Sequence, residues 1–141
     1  NVPNDEAFVW LSRGLEEALL KFIRQAKGPR YKIRASLYEL TYAPVLQAFA
    51  DCVESGADVK IVHHYKETAK AVVKRDKIVT DEDGKIVKEM VPDSTAKAAT
   101  AAIRRIGIKD AKYTNAWQNH VFIKRKNTAA ISHNKFIILL E

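Results

Sequence analysis

The chain has 141 residues, 47% of them hydrophobic and 29% charged, a length and composition that exclude disordered and fibrous proteins and suit one domain with its own core. No apolar run approaches the roughly 18 residues of a bilayer span. With 24 Lys and Arg against 17 Asp and Glu, a formal charge of +7 favours polyanions, though charge alone does not choose between nucleic acid and an anionic membrane surface. The single cysteine, Cys52, rules out an internal disulfide, and the first residues lack the basic and apolar segments of a secretory signal, so a cytoplasmic setting is expected.

From Asp5 to Ile23, apolar residues recur at three- and four-residue spacing and predict an amphipathic helix that Lys27, Gly28 and Pro29 end. Tyr31 to Leu37 alternates as a strand does, with Ile33, Ala35 and Leu37 on one face. Pro44 suits the first turn of a helix striped by Val45, Leu46, Phe49, Ala50 and Val53 and stopped by Gly56. Val59 to Val62 reads as the next strand. Strand, helix and strand with such short joints form a βαβ unit, which makes the sheet at least partly parallel. Lys66 to Val91 reads as a short helix followed by a surface hairpin or loop, with a turn at Asp81 to Gly84. Asp93 or Ser94 caps a helix through Ile106, ended by Gly107. Short strands are expected near Lys112 to Thr114 and Val121 to Lys124. The last segment, Ile131 to Leu140, is apolar on both faces, the pattern of a strand inside a sheet covered by helices on both sides. The expected fold is therefore α/β, a mixed and partly parallel sheet with helices on both faces, in one domain over residues 1–141.

The final strand carries Ser132, His133, Asn134 and Lys135, and the two-residue period of a strand puts His133 and Lys135 side by side. A nucleophile and a cation in an otherwise apolar strand cost a few kcal/mol of desolvation unless partners satisfy them. A purely structural histidine and lysine would be an expensive choice there. Asn134 faces the other way. His63 and His64 follow a parallel strand, where ligands of α/β sheets often sit, yet adjacent strand residues point to opposite faces and do not easily ligate one metal. His120 has no second ligand at metal spacing. Lys124, Arg125 and Lys126 lie just upstream and are candidates for flanking phosphates. Cys52 borders an apolar stripe and reads as a small core residue.

Taken together, Tyr31 to Tyr38, the helix from Pro44, Ser55 to Val62, the helix ending at Ile106 to Ile108, and Ser132 to Leu139 resemble, in that order, one half of the phospholipase D superfamily. That family's signature is His-x-Lys followed, after four residues, by Asp. The resemblance runs from about Phe8 to the C-terminus and implies a phosphodiesterase needing no metal and no cofactor. It implies that His133 attacks phosphorus and forms a phosphohistidine, while the equivalent histidine of a second half protonates the leaving oxygen. Lys135 would neutralise the equatorial oxygens of the transition state. Leu140 stands where the family has its Asp, and Glu141, one place later, shares the strand face of His133 and Lys135 and is the candidate to replace it. The Gly/Ser/Asn-rich segment that usually follows the motif is absent. One His-x-Lys per chain implies either the N-terminal half of a longer protein or one subunit of a homodimer. The +7 charge favours a nucleic-acid backbone as substrate; the alternatives are a phospholipid and, with Leu140 in place of Asp, a non-catalytic nucleic-acid-binding module.

Overall fold

A computed structural model of the chain describes residues 12–107, 121–126 and 135–141. Of the helix expected over Asp5 to Ile23, residues 5–11 lie outside the described part; Arg13 and Gly14 take positive φ angles of 49° and 82° and break the helical path, and α1 (Leu15–Ile23) follows them. β1 (Lys32–Leu37), α2 (Ala43–Glu54) and β2 (Asp58–Tyr65) follow, and β1 and β2 pair in parallel, with Ile33 opposite Val59 and Ala35 opposite Ile61. Pro44 sits in the first turn of α2 as expected. At its other end Gly56 adopts φ 95°, a left-handed conformation that lets the chain turn back into β2. Ser55 fastens this corner, its Oγ donating to the carbonyl of Cys52 (2.7 Å) and accepting the N–H of Gly28 (3.0 Å).

β2 runs three residues beyond its expected end, through His63, His64 and Tyr65, all buried. Hydrophobicity alone stops at Val62; the extension exists because a further strand, β7 (Phe122–Lys126), pairs in parallel along the second edge of β2, with His63 opposite Lys124 and His64 opposite Arg125. The last strand, β8 (Phe136–Leu140), runs antiparallel to β1, giving the order β7-β2-β1-β8. The sheet is thus mixed and partly parallel, and the fold is α/β.

Residues 66–91 form no helix. They build an arm of short strands: β3 (Glu67–Ala71), β4 (Val73–Lys74), β5 (Lys77–Ile78) and β6 (Lys88–Pro92). Lys66 to Ala71 are helix formers by propensity, but the cross-strand pairing of β3 with β6 overrides it. The arm branches at Val72, Val79 and Val87, whose backbones close a ring: Val72 N–H to the Val87 carbonyl, Val87 N–H to Val79, and Val79 N–H to Val72 (2.8–2.9 Å). One lobe is the β4–β5 hairpin, turning at Arg75 and Asp76, both at positive φ; the other is closed by the Thr80–Ile86 bridge over the expected Asp81 to Gly84 turn. Asp93 then caps α3 (Ser94–Arg105), its carboxylate accepting the N–H of Ala96 (2.8 Å).

One core joins these elements. Ile23 from α1, Leu46, Phe49 and Cys52 from α2, and Ala99 and Ile103 from α3 pack on Ile33, Ala35, Val59, Ile61 and Phe122 of the sheet. By register these sheet residues share a face, so α1, α2 and α3 lie on that one side. Cys52 Sγ donates to the carbonyl of Ile23 (3.2 Å), tying the end of α1 to α2. The second helical layer expected from the two-sided pattern of 131–140 is not found among the described residues. There β8 is an edge strand: Ile137 and Leu139 pack on the core, while Phe136, Ile138 and Leu140 are 45–48% exposed. On that open face Arg34 grips Asp58 and holds its carboxyl below the usual carboxylate range. The strand expected at Lys112 to Thr114 and the residues Ile131 to Asn134 lie outside the described part. No helix among the described residues is long and apolar enough to cross a membrane.

Candidate phosphodiester site

β1, β2 and β7 all end at the same edge of the sheet, and in open α/β sheets the carboxyl ends of parallel strands are where ligands bind. Because β8 is antiparallel, its beginning meets that edge. Ser36 pairs with Phe136, which sets Lys135 beside Leu37; Leu37 pairs with His63, and His63 with Lys124. Lys135, Leu37, His63 and Lys124 therefore form one row across four strands, on the side that carries the helices. At about 4.8 Å per strand the two lysines are about 14 Å apart.

Neither lysine forms an ion pair among the described residues. Lys135 Nζ lies 5.8 Å from the centroid of the Tyr38 ring, and Lys124 Nζ lies 4.5 Å from that of Tyr65. A cation over an aromatic face is held without being neutralised, and so keeps its charge for an anion. Tyr38 in turn packs against His64, ring centroids 4.7 Å apart. Tyr38 and Tyr65 have no signature in the sequence beyond their position at strand ends.

His63 is a buried member of this row. Its Nδ1 is 3.1 Å from the carbonyl oxygen of His64. A carbonyl only accepts, so Nδ1 carries the proton and Nε2 has the lone pair. Burial, with Lys124 adding to it, pushes the imidazole below its ordinary value, while the bond to His64 opposes the shift. His64 is also buried, and its Nδ1 has no hydrogen-bond partner among the described residues. The two rings take opposite faces of the sheet, as strand parity requires. No three His, Cys, Asp or Glu side chains among the described residues converge as metal ligands.

The expected site residues are only partly brought together. Lys135 is at the carboxyl-end edge, on an exposed position beside a hollow of about 330 Å³ lined by Leu19, Phe22, Leu37, Phe136 and Ile137. His133 and His120 lie outside the described residues. Glu141 does not join Lys135. Parity does give them the same face, but six residues of extended strand separate them by about 20 Å. Glu141 instead accepts a hydrogen bond from Arg30 (2.7 Å) at the opposite edge of the sheet, beside a cleft of about 910 Å³. The basic triplet is also divided. Lys124 and Lys126 point to the helix side, where Lys126 pairs with Glu67 (3.0 Å), and Arg125 points to the open side beside His64. Cys52 is buried in the core, and burial raises its thiol to about 11.

No family model matches the chain, and neither a curated protein nor a solved structure matches it.

Proposed function

We propose that this protein is a phospholipase D-like phosphodiester hydrolase or transferase acting on a nucleic-acid backbone. The observation that carries the proposal is the antiparallel pairing of β8 with β1. It sets Lys135, free of any described carboxylate, at the carboxyl ends of the parallel strands and in one row with Lys124. His133, two residues ahead of Lys135, is the nucleophile. Its imidazole nitrogen attacks phosphorus, the bond to the leaving oxygen breaks, and that oxygen takes a proton from the imidazole of a second half. Water then attacks the phosphohistidine, gives its proton back to the second imidazole and frees His133. Lys135 holds the non-bridging oxygens throughout. The second half is either a later segment of a longer chain or a second copy. The separation of Lys124 from Lys135 corresponds to about four nucleotides of helical rise, so Lys124 meets a flanking phosphate rather than the reacting one.

One observation favours a second substrate class. The hollow beside Lys135 is lined by apolar side chains, Phe136 among them exposed, which suits the acyl region of a phospholipid. The test is a rapid-quench search for an acid-labile, base-stable phosphoryl adduct on His133, run with oligonucleotide and with phosphatidylcholine vesicles. An adduct lost in His133→Ala supports the reaction, and the substrate that forms it decides the class. Binding of oligonucleotide with no adduct and no turnover points to the non-catalytic module. Activity that EDTA abolishes and Mg²⁺ or Zn²⁺ restores, persisting in His133→Ala, overturns the proposal.

A further inference from the structure

The arm from Glu67 to Pro92 takes no part in the row of site residues, and its surface is unlike the rest of the molecule. It carries six basic and six acidic residues, and is neutral within a chain of charge +7. The charges are sorted. The β4–β5 lobe bears Lys74, Arg75 and Lys77 around a single Asp76, and the other lobe bears Asp81, Glu82 and Asp83 before a single Lys85. Asp81 is used within its own turn, where Oδ1 accepts the N–H groups of Asp83 and Lys85. Lys74, Arg75, Lys77, Glu82 and Asp83 form no ion pair among the described residues. Between the two sets of charges stand apolar side chains facing water: Val73 at 58%, Ile78 at 56% and Ile86 at 49% exposure, with Val73 and Ile78 directly paired across the β4–β5 hairpin.

We propose that this arm is a self-association surface whose partner is a second copy of the same chain. A twofold interface must be complementary to itself. A surface with one basic lobe and one acidic lobe on either side of an apolar centre meets that requirement. A twofold axis through the valine junction sets each basic lobe against the partner's acidic lobe and brings the exposed Val73, Ile78 and Ile86 of the two copies together. A polyanion is the poorer occupant, because Glu82 and Asp83 would repel phosphates a few residues from where Arg75 attracts them. About ten residues a side is below the roughly 20–30 of a standard interface, so the dissociation constant is expected to be on the order of micromolar or weaker. The surface is separate from the row of Lys135 and Lys124, and the inference does not depend on the phosphodiester reading.

Sedimentation equilibrium of the full chain at low ionic strength tests this, with far-UV circular dichroism to check folding. The wild type should form dimers that dissociate as salt rises. Charge reversal in one lobe (K74E/R75E/K77E) or in the other (E82K/D83K) should leave monomers, and an equimolar mixture of the two variants should associate again. That recovery requires both variants to be folded; Arg75→Glu alone, a smaller change, should weaken the wild-type dimer in the same direction. A wild type that stays monomeric at low salt overturns the proposal. So do variants that dimerise as the wild type does, which would move the interface to another face. A fall in oligonucleotide affinity in K74E/R75E/K77E, with the wild type monomeric, would make the arm a nucleic-acid surface instead.

Discussion

Neutralising the basic residues of β7 one at a time separates two ways a polyanion can lie on this sheet. Read as a sequence, Lys124, Arg125 and Lys126 are three phosphate contacts, worth about 0.9 each in the slope of log affinity against log salt. The strand divides them. On the helix side, in the row of Lys135, Lys124 has no opposing carboxylate among the described residues, whereas Lys126 is engaged by Glu67 at 3.0 Å; Arg125 is on the other side. A backbone anchored on Lys135 should therefore lose about 0.9 from the slope in Lys124→Ala and little in Arg125→Ala or Lys126→Ala. With the affinity extrapolated to 1 M salt unchanged, one contact is worth about 15-fold at 50 mM salt and about 4-fold at 200 mM. Fluorescence anisotropy of a labelled oligonucleotide across that range reads both numbers. A triple variant that loses about 2.7 from the slope, as three equal contacts would, refutes the division of the strand. An equal loss from Arg125→Ala alone would move the polyanion to the open face.

Glu141→Gln should leave turnover unchanged, measured as initial rate on the same substrate, since about 20 Å of strand separates Glu141 from Lys135; a rate drop comparable to that of Lys135→Ala would contradict the register of β8. Phe49→Ala, at a fully buried position, should destabilise by about 3–5 kcal/mol in urea unfolding. His63 makes stability depend on pH in a defined direction. Its folded-state value lies below the ordinary 6.5, so as pH falls below about 6.5 the unfolded chain binds a proton that the folded chain refuses, and stability declines by up to about 1.4 kcal/mol per pH unit until the folded value is reached. Above 6.5 the group contributes no pH dependence. His63→Phe should flatten this part of the profile in urea titrations between pH 5 and 8, and an unchanged profile would show that His63 is not held neutral.

Where one rule governed a segment, the sequence could be read directly. Alternation in Lys32–Leu37, the Pro44 start and Gly56 stop of α2, and the Asp93 cap of α3 each predict what is present. Local rules do not reach segments whose form partners far along the chain decide. Glu67–Ala71 becomes a strand only because Lys88–Pro92 lies beside it, and β2 continues into two histidines only because β7 pairs with them. The two-sided apolar pattern of β8 predicts an interior strand, and no periodicity could show that its order is last among the described strands. Parity placed Glu141 with Lys135 correctly as to face and wrongly as to distance, since a shared face says nothing about separation along the strand. His133 is legible only by its spacing two residues ahead of Lys135, whereas Lys135 and Lys124 are brought into one row by the sheet register.

Cys52 gives the protein a reporter of its own opening. The thiolate is the form that reacts with alkylating agents, and a thiol raised to about 11, buried and donating to the carbonyl of Ile23, offers almost none of it at neutral pH. Rapid modification requires an opening that uncovers the thiol, as when α1 lifts away from α2. With an alkylating reagent in excess, the labelling rate would count those excursions, and comparing it with the rate of global unfolding would tell whether the N-terminal helix leaves alone or only when the whole core comes apart.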